Sequence, residues 1–117
     1  MIKKENAYGK YMAILEANPG AFKGMIQEPQ DRKKIIEPMF AAIGGTVEHY
    51  WLGVGSNMVY VVCNFSNEND IDLEAISMLV FSSGIASSMN MVKLMTSEEA
   101  VGAMKRAGEL SYKPPSN

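Results

Sequence analysis

The sequence predicts a single α+β domain built on one antiparallel sheet, and three observations carry that expectation. Residues 46–65, TVEHYWLGVGSNMVYVVCNF, read as two β-strands joined by a short Gly-rich turn. Apolar stripes at helical spacing lie on both sides of this hairpin. Alternating apolar segments near each end of the chain supply further strands. At 117 residues the chain has the size of one domain, residues 1–117. It is long enough to bury one core without disulfide or metal staples. Residues 1–7 and 112–117 are expected to be flexible.

The first strand is expected over residues 8–15. Both of its alternate sets, Met12 and Ile14, and Tyr11, Ala13 and Leu15, are mainly apolar, so both faces are expected to be covered. Asn18-Pro19-Gly20 is a turn signal, and a loop carrying Phe22, Gly24 and Met25 is expected after it. A helix is then expected to start near Pro29, because proline suits a first helical turn. Ile35, Ile36, Met39, Phe40 and Ile43 give it an apolar stripe. Pro38 cannot donate to the carbonyl of Lys34, which predicts a bend or break. Gly44-Gly45 ends the helix, since glycine accepts the left-handed conformation found there.

The hairpin strands are expected over residues 46–52 and 58–65, with Gly53-Val54-Gly55-Ser56-Asn57 as the loop. In the simplest register Leu52 faces Met58, Tyr50 faces Tyr60 and His49 faces Val61. One face then carries Val47, His49, Trp51, Val59, Val61, Cys63 and Phe65, and is expected to pack on helices. The other carries Thr46, Glu48, Tyr50, Leu52, Met58, Tyr60, Val62 and Asn64. A second helix is expected from Asp70 or Asp72 to Ser83, with an acidic first turn that suits the positive helix end. Ala75, Ile76, Leu79 and Val80 form its buried stripe. A fourth strand follows over residues 87–95, with Met89, Met91 and Met95 in one alternating set. Thr96 and Glu99 form a capping box that opens a third helix running to Leu110.

The order strand, helix, strand, strand, helix, strand, with an additional C-terminal helix, is that of a ferredoxin-like βαββαβ fold. Such a sheet carries helices on one face only. Its other face here is apolar and aromatic, so we expect two chains to pack those faces together with closed two-fold symmetry.

Several function classes lose support at this level. A formal net charge of −2 gives no electrostatic reason to expect nucleic acid. No stretch reaches the length of a membrane span. One cysteine, Cys63, cannot form an intramolecular disulfide, and Lys3, Lys4 and Glu5 interrupt any apolar N-terminal leader. The expected location is therefore cytoplasmic, with no membrane partner. No catalytic triad, metal-ligand cluster or phosphate loop stands out.

The order of elements, together with Tyr50-Trp51, the short Gly-rich turn and the following MVYVV run, resembles the GYD-domain family. The resemblance covers about residues 11–105, and Gly24 and Arg32 sit where that family often has Gly and Arg. It implies a small dimeric α+β barrel. The wider superfamily includes cofactor-independent monooxygenases, isomerases, haem proteins and ligand-sensing modules. The chain departs from the family where its name originates: Gly55-Ser56-Asn57 stands in place of the Gly-Tyr-Asp run. Roles for that phenol and that carboxylate are therefore not carried over, and fold alone licenses no function.

His49, the only histidine, is the best catalytic candidate, because imidazole is the usual acid–base group near neutral pH. Glu48 beside it points to the opposite face of a regular strand, so the two form a dyad only across a bulge. A satisfied histidine between sheet and helices is the favoured reading. Cys63 is expected to be a buried apolar filler. Glu48, His49, Tyr50, Trp51, Tyr60 and Asn64 are the candidate ligand-pocket residues, an apolar surface with a few polar groups. The Tyr50/Tyr60 face has the composition of a dimer interface too, and that reading is preferred. Met89, Met91 and Met95 with His49 or Cys63 offer soft ligands for copper(I), but methionines scattered over every element point to packing, and no metal or cofactor is expected. Arg32, Lys33 and Lys34 in a first helical turn meet either solvent, the preferred reading, or an anionic ligand. The expected function is that of a homodimeric small-molecule binding or regulatory module, with association beyond the dimer left open. The alternatives are a cofactor-independent enzyme of the monooxygenase or isomerase type, acting near His49 and Trp51, and a purely structural assembly protein.

Overall fold

The computed structural model describes residues 9–67 and 69–116. Its elements are β1 (Lys10–Ala17), α1 (Pro19–Gln27), α2 (Arg32–Ala41), β2 (Gly45–Leu52), β3 (Met58–Phe65), α3 (Asp70–Ser82), β4 (Ala86–Lys93) and α4 (Ser97–Glu109). The four strands form one antiparallel sheet in the order β2-β3-β1-β4. The architecture is α+β, with four strands and four helices among the described residues, and is compatible with a ferredoxin-like arrangement. The expected strand start at residue 8 and the expected flexibility of residues 1–7 lie outside the described residues.

The connection between β1 and β2 holds two helices where one was expected. Asn18-Pro19-Gly20 is a helix start: Asn18 is the N-cap and Pro19 takes the first helical position, where its missing N–H costs nothing. Gly20 and Gly24 inside α1 resemble breakers in the sequence, yet a helix tolerates them at about 1 kcal/mol each. The second helix begins at Arg32 rather than near Pro29. Asp31 is its cap, and its carboxylate accepts the Lys33 N–H at 3.0 Å. Pro38 does not break α2, which runs through it to Ala41. Lys34 and Pro38 are both exposed, so the carbonyl that loses its donor stands where water can reach it.

The hairpin corrects the expected register. Leu52 pairs with Val59, Trp51 with Tyr60, Tyr50 with Val61 and His49 with Val62, whereas Val47 pairs with Cys63. Glu48 is the extra residue of a β-bulge. Below the bulge Val47 faces the helices as expected. Beyond it every side chain changes face: Tyr50 turns to the helices, and His49 and Trp51 turn away. Glu48 is tied across the sheet to Lys10 at 3.2 Å and to the Asn64 amide, which holds the bulge in place.

One sheet face is therefore the inner face. Ala13, Val47, Val59, Val61, Cys63 and Phe65 are buried there, with Phe40 of α2 and Ile76 of α3 on top. Phe40 stacks on Phe65 at 5.8 Å, and Tyr11 meets Phe65 edge-on at 6.0 Å, which fills the β2–α2 end of this core. The outer face carries Met12, Ile14, Trp51, Tyr60, Val62 and Val92. β4 ends at Lys93, so Met95 lies beyond the strand and is 60% exposed. The Thr96–Glu99 capping box forms as expected. No described helix is long and apolar enough to cross a membrane.

Candidate functional site

Between the inner sheet face and α1, α2 and α3 lies a cavity of about 340 Å³. It exists because small residues face one another there. Ala13 and Ala17 of β1, Gly20, Ala21 and Gly24 of α1, and Ala86 of β4 all line it. Phe40, stacked on Phe65, closes one side of it. Larger apolar walls come from Leu15, Met25, Ile36, Met39, Val59, Ile76, Val80, Met89 and Met91. The volume is in the range of small-molecule sites, and the lining has their composition, apolar with a few polar groups. A second, more open concavity of about 500 Å³ lies on the other flank of α1, around Pro19, Phe22, Ile26 and Asn57.

Four residues with polar or charged side chains reach the cavity wall: Glu28, Gln30, Arg32 and Tyr50. Tyr50 arrives there through the Glu48 bulge, which turns it inward. Burial pushes its phenol above the usual tyrosine value, and the Arg32 guanidinium beside it offsets part of that rise. Arg32 is half-buried at the start of α2, and its Nε is sealed from solvent without a hydrogen-bond partner. Such an N–H costs about 1–3 kcal/mol when left unpaired. Glu28, by contrast, is exposed and accepts a bond from Gln30 Nε2 at 3.1 Å.

The sequence candidates divide between the two faces. Tyr50 alone among them lines the cavity. His49 is exposed on the outer face, with its ring stacked on Trp51 at 4.4 Å and 15°. Tyr60 pairs with Trp51 on the same face, and Glu48 and Asn64 bond to each other there. The sheet therefore separates His49 and Trp51 from the cavity. Met89 and Met91 line the cavity, on the opposite side of the sheet from His49. Among the described residues no group of three or more His, Cys, Asp or Glu could hold a metal ion.

Cys63 is fully buried, and its thiol points to the Tyr11 carbonyl at 3.8 Å. Burial, with a smaller effect from Glu48, pushes its pKa up to about 11. A thiol held protonated in this way is a packing residue rather than a nucleophile. Of the basic cluster, Lys33 pairs with Glu37 at 3.2 Å and Lys34 is exposed, while Arg32 turns into the cavity. The sequence marked Arg32 as one of three cations in a first turn and through the family resemblance, without placing it on a cavity wall. The contribution of α1 left a readable trace as well, in Ala21 and Met25 at a spacing of four and in Asn-Pro at a helix start. Comparison with protein-family models, with curated proteins and with solved structures returned no match.

Proposed function

We propose that the chain is a small-molecule binding or regulatory module that works as a homodimer, with the ligand held in the cavity between sheet and helices. The cavity carries this reading: it combines about 340 Å³ of apolar space with one cation and one phenol on its wall. The resemblance to the GYD-domain family, in element order and in the Tyr50-Trp51 hairpin, supports the same dimeric α+β barrel arrangement.

The outer sheet face supports the dimer. Met12, Ile14, Trp51, Tyr60, Val62 and Val92 place apolar and aromatic side chains across all four strands, on the side away from α1, α2 and α3. Trp51 is 55% exposed within one chain. An uncovered aromatic patch of this kind marks an interaction surface, and a two-fold pairing would cover it on both copies at once.

Native mass spectrometry of the purified protein tests both halves of the proposal. The expected spectrum is a dimer, with an added small mass that is lost on collisional activation or taken up when ligand mixtures are supplied. In an Ala21→Phe variant, which fills the cavity, the dimer should persist and the adduct should disappear. A monomer at all concentrations would overturn the dimer, and an adduct unchanged by Ala21→Phe would overturn the cavity as the site.

A further inference from the structure

The two ends of the cavity differ in chemistry, and the difference defines a ligand class. One wall is apolar: Ile76 and Val80 of α3 and Met89 and Met91 of β4 offer neither charge nor a strong donor. Tyr50 and Arg32 stand together elsewhere on the wall. Arg32 is the one basic residue lining the cavity among the described residues, and its Nε–H is shielded and has no acceptor.

We infer that the cavity selects a small monocarboxylate with an apolar body, its carboxylate on Arg32 and Tyr50 and its body against α3 and β4. This rests on the cavity reading above and deepens it. Three observations fix the class. A guanidinium presents a planar fork of N–H donors that a carboxylate accepts two at a time, and the Tyr50 phenol, whose oxygen accepts a hydrogen bond from Arg32, keeps its own O–H as a third donor. One cation balances one negative charge. The Glu28 carboxylate on the same wall would repel a second, so a dianion is disfavoured. Glu28 does not already satisfy the Arg32 Nε–H: it is exposed and engaged with Gln30, and the Nε–H remains without a partner. A protonated amine would be repelled by the guanidinium, and an uncharged alcohol would accept only a single neutral hydrogen bond from it.

Octanoate and octan-1-ol, titrated separately into the protein and read by calorimetry and by backbone amide shifts, test the inference. They share a chain length and differ in the head group. Octanoate should bind one per chain and at least about tenfold tighter than octan-1-ol, the margin of a charge-assisted hydrogen bond over a neutral one. Amide shifts should fall on α2 and β2, beside the head group, and on α3 and β4, beside the chain. Arg32→Gln should abolish the preference, weakening octanoate about tenfold or more and octan-1-ol much less. Arg32→Lys keeps the charge without the fork and should retain a reduced preference, and it guards against a folding defect in the first variant. Equal affinity for the two probes, or an equal loss of both in Arg32→Gln with an intact circular dichroism spectrum, would overturn the carboxylate assignment and leave the cavity as a neutral site. Failure of both probes to bind, or binding of both undiminished by Ala21→Phe, would remove the cavity site and the inference with it.

Discussion

Gly9 and Cys63 show how single residues are constrained at the filled end of the core. Gly9 has φ +73°, and a Cβ built there would stand 2.1 Å from the Phe65 carbonyl oxygen. Gly55 has a similar φ of +78° with nothing within 4 Å. The pair separates backbone strain from collision. Gly55→Ala should cost about 1–2 kcal/mol, the left-handed penalty alone. Gly9→Ala should cost at least about 3 kcal/mol, because the clash is with the backbone of Phe65, whose N–H donates to the Gly9 carbonyl at 2.9 Å, and urea denaturation of both variants measures the difference. Cys63 gives a pH dependence. Its folded pKa of about 11 lies above the ordinary 9.0. Between these values the unfolded chain has released a proton that the folded chain keeps, so stability falls as pH rises. The contribution is whole below about pH 9 and is lost toward pH 11, up to about 2–3 kcal/mol. Cys63→Ala should flatten this part of the curve. At pH 8 the native thiol should react with a disulfide reagent only as fast as the fold opens.

At the scale of the element, α4 stands apart from the other helices. From Val101 to Glu109 every residue is exposed, and the helix packs against the rest of the chain only marginally. Its stability must then be local. The Thr96 hydroxyl accepts the Glu99 N–H at 3.0 Å, and the Glu99 carboxylate accepts the Thr96 N–H at 3.0 Å. Thr96→Ala should reduce the α4 helix population by about 1 kcal/mol, read by amide exchange over residues 97–109. The global urea transition, followed by Trp51 fluorescence, should move by less than about 0.5 kcal/mol. A global shift as large as the local one would show that α4 is part of the cooperative core. The capping box was legible because both partners lie within four residues of each other. The start of α1 was harder to read, because Asn18 spends its amide on the Gly84 carbonyl at 2.7 Å, a bond to a turn 66 residues away.

The whole molecule is wider than a closed monomer. Its radius of gyration is 17.8 Å, against about 13 Å for a compact chain of about 100 residues. α4, exposed and packed only marginally against the rest of the chain, contributes to this width. In the proposed dimer the outer faces meet, and Val62 lies near the centre, between Met12 and His49 on the neighbouring strands. Val62→Glu would bury an unpaired charge in that contact, which costs about 3–5 kcal/mol per site. The variant should elute as a folded monomer in size-exclusion chromatography with light scattering. Unchanged dimer mass would place the contact on another surface.

The elements whose causes are local can be read from the residues alone. The hairpin, α3, α4 and their caps follow from alternation, apolar periodicity and end residues within a few positions of one another. The site, by contrast, arises from packing between distant elements. The Glu48 bulge is held by Lys10 and Asn64 on other strands, and it alone turns Tyr50 inward and His49 and Trp51 outward. The cavity is likewise a property of assembly: Ala13, Ala17, Gly20, Ala21, Gly24 and Ala86 are ordinary small residues in the sequence, and they leave space only because β1, β4 and α1 bring them face to face. A one-residue change of register reverses every side chain of a strand, and no local pattern in residues 46–52 records it.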